Sequence, residues 1–183
     1  MRLHIGIFGR RNAGKSSLLN ALTRQDVSIV SDIAGTTTDP VEKPMELLPI
    51  GPVLFIDTAG IDDLGALGDR RVERTQQIFD RTDLGLVVAA EGTWGPFEDR
   101  ILTELRHRAI PAIIVFNKTD LARPDPKVTN PLRAGNVPIV FITAPRGDGI
   151  SSLREALIAS APDEFVNVPA LVGDLIPPGE LAV

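Results

Sequence analysis

The chain has 183 residues, enough for one ordinary domain and a tail but too few for two full ones. Its net charge of −5 offers no electrostatic footprint for nucleic acid or for an anionic membrane. The lack of cysteine excludes disulfides, thiolate zinc sites and iron–sulfur ligation by these residues.

Apolar residues make up 43% and aromatics only 4%, which predicts an aliphatic core of the kind found where helices cover both faces of a parallel sheet. No apolar run approaches the roughly 18 residues that would span a bilayer, and the N-terminus shows no signal-peptide pattern. The expectation is a soluble, cytoplasmic protein with no membrane and no nucleic-acid partner.

Leu3 to Phe8 reads as a buried strand, and Leu18, Leu19 and Leu22 fall at helical spacing after it. Between them Gly9-Arg10-Arg11-Asn12-Ala13-Gly14-Lys15-Ser16-Ser17 has the pattern G-x-x-x-x-G-K-[ST], in the strand, loop, helix context that the pattern requires. Glycines let the backbone take positive φ and approach a ligand closely. Successive N–H groups, from Arg11 through Ser17, can then converge on phosphate oxygens at a helix N-terminus. Lys15 supplies an ammonium for the β and γ phosphates, and the Ser16 hydroxyl is placed to ligate Mg²⁺.

Val27 to Pro40 lacks helical periodicity and reads as a loop. Its Thr36-Thr37-Thr38 cluster offers a hydroxyl for Mg²⁺, assigned to Thr37, and backbone N–H groups for the γ-phosphate, which would couple loop order to the bound nucleotide. Residues 41–48 predict a strand, and Ile50-Gly51-Pro52 turns the chain into a second strand at Val53 to Ile56. That strand ends in Asp57-Thr58-Ala59-Gly60, the pattern D-x-x-G. Asp57 can hold a water of the Mg²⁺ shell, and the Gly60 N–H can bond the γ-phosphate and register its loss.

Residues 61–69 are Gly-rich and acidic and read as a second mobile loop; a helix is expected from about Asp69 to Asp80. Leu84 to Ala90 is apolar throughout, as in a strand buried on both faces. A loop with Trp94 as its anchor leads to an amphipathic helix from Phe97 to Arg108. His4 and His107 have no partner at metal-ligand spacing.

Pro111 to Phe116 predicts another buried strand, followed by Asn117-Lys118-Thr119-Asp120, the pattern N-K-x-D. The Asp120 carboxylate can accept two hydrogen bonds from guanine, and adenine offers no such pair of donors. Asn117 would tie this loop to the phosphate loop, and the Lys118 stem would lie over the base. The Pro-rich stretch from Arg123 allows only a short helix. A strand at 137–142 then leads to Thr143 and Ala144, whose N–H is placed to bond guanine O6, and to a last helix from about Ser151 to Ser160. Residues 163–183, with Pro169, Gly173, Pro177, Pro178 and Gly179, read as a linker and the start of a following domain, after a GTP-binding domain at 1–162.

With these motifs in this order, residues 1–160 resemble a Ras-like GTPase domain of the TrmE-Era-EngA group. Arg2 to Ser17, Val30 to Pro40, Asp57 to Asp63 and Leu171 to Gly179 resemble the HydF family, the maturation GTPases of FeFe-hydrogenase. The resemblance implies a doubly wound, mostly parallel six-stranded α/β sheet with one antiparallel edge strand, and slow Mg²⁺-dependent hydrolysis of GTP to GDP used as a switch. It also implies further domains for dimerisation and cluster binding, and hence a homodimer with other maturation proteins and the hydrogenase as partners.

Family relatives further imply K⁺, held by Asn12. Position 61 is Ile where Ras-like proteins carry a water-orienting Gln, so a carboxylate acting through water is expected instead. Asp62, Asp63 and Asp69 are the candidates, and Arg10 or Arg11 could act in cis. Alternatives are a GTP-responsive interaction module with incidental hydrolysis, and another TrmE-Era-EngA type GTPase in ribosome or tRNA work.

Overall fold

The structure is a computed structural model that describes residues 2–24, 41–57 and 76–166. Six strands lie in one sheet: β1 (Leu3–Phe8), β2 (Val41–Leu47), β3 (Gly51–Asp57), β4 (Leu84–Ala90), β5 (Ala112–Asn117) and β6 (Ile139–Phe141). Their spatial order is β2-β3-β1-β4-β5-β6. β1 pairs in parallel with both β3 and β4, so it sits at the centre. The two following pairs, β4 with β5 and β5 with β6, are also parallel. Only β2 runs antiparallel, at the edge beside β3. Both the mostly parallel sheet and its antiparallel edge match the sequence expectation.

Alternation along the strands explains how both faces are buried. Leu84, Leu86 and Val88 of β4 enter one apolar cluster, while Val87 and Ala89 face the other side. The first face packs beneath α1 (Lys15–Arg24) and α4 (Ile150–Ser160), through Leu18, Leu22, Leu153 and Leu157. The opposite face is covered by α2 (Pro96–His107), by a helical segment at 76–80 and by α3 (Pro126–Ala134). On that side Phe8 stacks on Phe79 with ring centroids 4.7 Å apart.

α2 starts with Pro96 at its first position, where a missing N–H costs nothing, and Glu98 Oε2 accepts the Gly95 N–H at 3.0 Å. α3 is short, as its prolines predict. Asp125 caps it by accepting the Lys127 N–H at 2.7 Å, and Pro131 lies inside it, removing one ladder bond from nine residues. The packed body continues four residues beyond the expected boundary at 162. The short α5 (Asp163–Val166) buries Phe165 in the main cluster, an apolar contact that composition alone does not reveal. Residues 167–183 lie outside the described residues.

The ends of β1, β3, β4 and β5 that carry the phosphate loop, Asp57, Glu91 and Asn117 lie on one margin of the sheet. Strand order reverses on either side of β1, and such a switch point leaves a crevice at the strands' C-terminal ends. Among the described residues, no helix is long and apolar enough to cross a membrane.

Candidate functional site

The phosphate loop leaves β1 and enters α1 directly. Asn12 has φ 65° and Gly14 φ 88°, two left-handed residues that fold the loop back over its own helix end. The turn is closed by the Ala13 N–H, which donates to the Arg10 carbonyl at 3.1 Å. A Cβ at Gly14 would collide with Asn117 Nδ2, so the second glycine of the motif is required by contact as well as by φ. Lys15 is buried, and its ammonium donates to the carbonyls of Gly9 at 2.6 Å and Arg10 at 3.0 Å. The charge is thereby held inside the loop. Ser16 and Ser17 are exposed in the first turn of α1, whose first turn carries no acidic side chain to oppose an anion.

Asp57 ends β3 opposite Ser16. It is 4% exposed, and its Oδ2 accepts a long bond from the Ser16 hydroxyl at 3.4 Å. Its Oδ1 is buried without a hydrogen-bond partner. Burial pushes the carboxyl pKa up from its ordinary value, against the opposing pull of the Lys15 charge and the Ser16 bond. An orphaned carboxylate oxygen beside a hydroxyl is what a hard cation would satisfy, so Ser16 and Asp57 fit Mg²⁺. Among the described residues, no cluster of three or more acidic or His side chains offers another metal site.

Asn117 binds the site together. Its Nδ2 donates to the Ala13 carbonyl at 3.0 Å, and its Oδ1 accepts the N–H groups of Lys118 at 2.8 Å and Ala144 at 3.2 Å. The expected tie between the base motif and the phosphate loop is present. The Ala144 N–H, expected to be placed for guanine O6, donates to the Asn117 side-chain oxygen, so Asn117 also holds the Thr143–Ala144 turn. Thr143 is buried, and its hydroxyl lies 3.2 Å from that of Thr119, joining the two base-side loops. Asp120 is exposed at the rim, and Lys118, at φ 57°, reaches Glu91 Oε1 at 3.0 Å.

Arg10, one of the two arginines expected to be available in cis, is committed elsewhere. It pairs with Glu98 of α2 through two contacts of 2.9 Å, Nε to Oε1 and Nη2 to Oε2, and lies over the Phe97 ring. Arg11 is exposed at the loop. Two clefts flank the loop. One of about 380 Å³ lies between Ser17, Arg24 and the Ala144–Gly147 turn, and one of about 180 Å³ lies between Arg11, Asn12, Glu91 and Lys118.

Thr36, Thr37, Gly60, Asp62, Asp63 and Asp69, with Ile61, lie outside the described residues. Sequence reasoning missed Glu91 and Glu98. Each looks like an ordinary surface carboxylate; the only local signal is Glu98 placed three residues after Gly95 at a helix start.

Residues 4–118, well over half of the chain, match the family of 50S ribosome-binding GTPases. The chain belongs to this family. It is a GTPase domain of the TrmE-Era-EngA type. Over 158 residues it is 45% identical to the tRNA modification GTPase MnmE of Synechococcus sp. (strain JA-2-3B'a(2-13)), covering 84% of this chain and 32% of the relative. MnmE of Burkholderia ambifaria (strain MC40-6) is 36% identical over 163 residues, which is 87% of this chain and 34% of that protein. The chain thus spans about a third of the length of the curated relatives it matches.

Among solved structures, an Era variant from Aquifex aeolicus bound to GDP·AlF4⁻ superposes with a TM-score of 0.67 at 28% identity, covering 88% of this chain and 58% of that one. The G domain of the T. maritima FeoB iron transporter gives 0.66 at 22% identity, over 87% and 99% of the two chains, a likeness of fold alone.

Proposed function

We propose that this GTPase works in the cytoplasm as a Mg²⁺-dependent, K⁺-stimulated switch, with the phosphate loop and N-K-x-D acting as one guanine-nucleotide site. The observation that carries this reading is Asn117, buried and bonded to Ala13 of the phosphate loop, Lys118 of the base motif and the Ala144 turn. Lys15 and the N–H groups of Asn12 to Ser17 bind phosphate, and Asp120 selects guanine. Mg²⁺, held by Ser16, Asp57 and Thr37, would neutralise charge on the β and γ phosphates. K⁺ at Asn12 would add positive charge from the side on which Arg10 is unavailable. Gly60 senses the γ-phosphate, and a carboxylate among Asp62, Asp63 and Asp69 orients water.

GTP turnover in KCl against NaCl tests the K⁺ part. An advantage of KCl that Asn12→Ala erases is expected, because added cationic charge stabilises the transition state of phosphoryl transfer. Equal rates in the two salts would remove K⁺ from the reading.

Two readings of the wider task have separate support. The named relatives favour a tRNA modification GTPase, since MnmE is 45% identical across most of this chain. Val30 to Pro40 and Leu171 to Gly179, through their resemblance to the HydF family, favour FeFe-hydrogenase maturation. The full-length protein separates them. Expressed in a strain lacking MnmE it would restore tRNA modification on the first reading; in a strain lacking the maturation GTPase it would restore hydrogenase activity on the second.

A further inference from the structure

The eight residues from Glu91 to Glu98 join β4 to α2, and their two end carboxylates reach opposite halves of the site. Glu98 is 2% exposed and grips the Arg10 guanidinium with both oxygens. The backbone carbonyl of that same Arg10 receives the Lys15 ammonium and the Ala13 N–H. Glu91 follows the last β4 residue, Ala90, which pairs with Asn117, and it reaches across to the Lys118 ammonium. The Glu91 N–H also donates to the Asn117 carbonyl at 3.1 Å.

The connection between the two carboxylates is stiff. Glu91 and Gly92 are left-handed, at φ 53° and 69°, and a Cβ on Gly92 would strike the backbone of Arg123 and Pro124. Thr93 closes the turn by donating both its N–H and its hydroxyl to the Ala90 carbonyl. Trp94 donates to Asp99 Oδ1 at 2.6 Å and lies against Phe116, the residue before Asn117.

We propose that this segment is a two-ended brace: Glu98, acting through Arg10, sets the phosphate loop, and Glu91, acting through Lys118, sets the guanine motif. Both are positioning residues, and the proposal rests on the nucleotide roles assigned above to the phosphate loop and N-K-x-D. The two ends differ in strength. A paired guanidinium and buried carboxylate with two parallel hydrogen bonds hold geometry firmly, whereas the Glu91–Lys118 pair is half-exposed and screened by water.

GDP and GMP binding to Arg10→Gln, Glu98→Gln, their double variant and Glu91→Gln tests the brace by calorimetry, with thermal melts of each protein. Arg10→Gln and Glu98→Gln are each expected to weaken GDP about tenfold, and the double variant no further, because one charged, paired contact is being removed. In both, the ratio of GDP to GMP affinity falls, since the phosphate half is disturbed. Glu91→Gln is expected to weaken GDP and GMP equally, by about two- to threefold, as suits an exposed pair.

Glu98 also caps α2, and Arg10→Gln leaves that cap intact, so it carries the test if Glu98→Gln does not fold. A lower melting temperature in Glu98→Gln with wild-type affinity in Arg10→Gln would overturn the brace and leave Glu98 as a cap alone. Additive losses in the double variant would overturn it too. If the wild-type protein bound no GDP, the nucleotide reading beneath it would fall instead.

Discussion

The Asn117 amide donates to the Ala13 carbonyl at 3.0 Å, joining two motifs that lie 104 positions apart in the sequence. Ala13 is buried, so this donor supplies a partner to a carbonyl in the interior of the loop. The nucleotide site is therefore partly assembled by the protein itself, through an amide that lies beneath the base motif and reaches the phosphate loop.

Asn117→Ala removes that donor together with the acceptor for the Lys118 and Ala144 N–H groups. Leaving such groups unpaired is expected to cost about 1–3 kcal/mol of folding stability. Urea unfolding monitored by circular dichroism checks the figure. Asn117→Asp keeps the acceptor but places a carboxylate against the Ala13 carbonyl, so it should destabilise at least as much.

Gly14→Ala meets two penalties. Its φ of 88° is strained for any side chain, and its Cβ would enter the space of the Asn117 amide. The strain alone is worth about 1–3 kcal/mol. If the loop relieves that strain by leaving its binding geometry, calorimetry should find GDP binding weakened by about five- to 150-fold, the same energy expressed as affinity.

Asp57 makes stability depend on pH in an unusual direction for a carboxylate. Burial raises its pKa above the ordinary 3.8, so over the range just above that value the folded protein holds a proton that the unfolded chain has released. Stability of the metal-free protein therefore falls as pH rises through this window, and the loss persists above it. Asp57→Asn removes the ionisation. Melts without metal should show the variant more stable than wild type at neutral pH, with the gap narrowing towards about pH 4. Mg²⁺ with GDP should stabilise wild type and leave the variant far less changed.

Trp94 is the chain's sole tryptophan, and it sits between the Asn117 side of the site and the helix that holds Arg10. Adding GDP is expected to shift its emission, with a midpoint equal to the calorimetric dissociation constant. A fluorescence titration checks this, and Trp94→Phe should abolish the signal.

The phosphate loop and the six strands were legible because each is a local signal: an apolar run, a glycine spacing, a lysine at a helix start; the antiparallel edge followed from the family resemblance instead. Asn117's tie was legible too, because its motif has one physical use beside a phosphate loop. The partners of Arg10 and Lys118 were not, since Glu98 and Glu91 resemble any surface carboxylate until β4 and α2 are folded beside β1 and β5. The bond from the Ala144 N–H to the Asn117 side-chain oxygen was hidden for a similar reason, since the two residues follow different strands. Phe165 shows the limit of composition, as a Pro-bounded segment still supplied a core residue.

GTP turnover by purified protein in Mg²⁺ and KCl, beside Lys15→Ala and beside ATP as substrate, tests the central claim most directly. Lys15 is buried within the phosphate loop, and Asp120 is the group assigned to guanine. The account predicts phosphate release from GTP by wild type, none above background from Lys15→Ala, and little from ATP. Equal turnover of ATP and GTP, or full activity in Lys15→Ala, would contradict it.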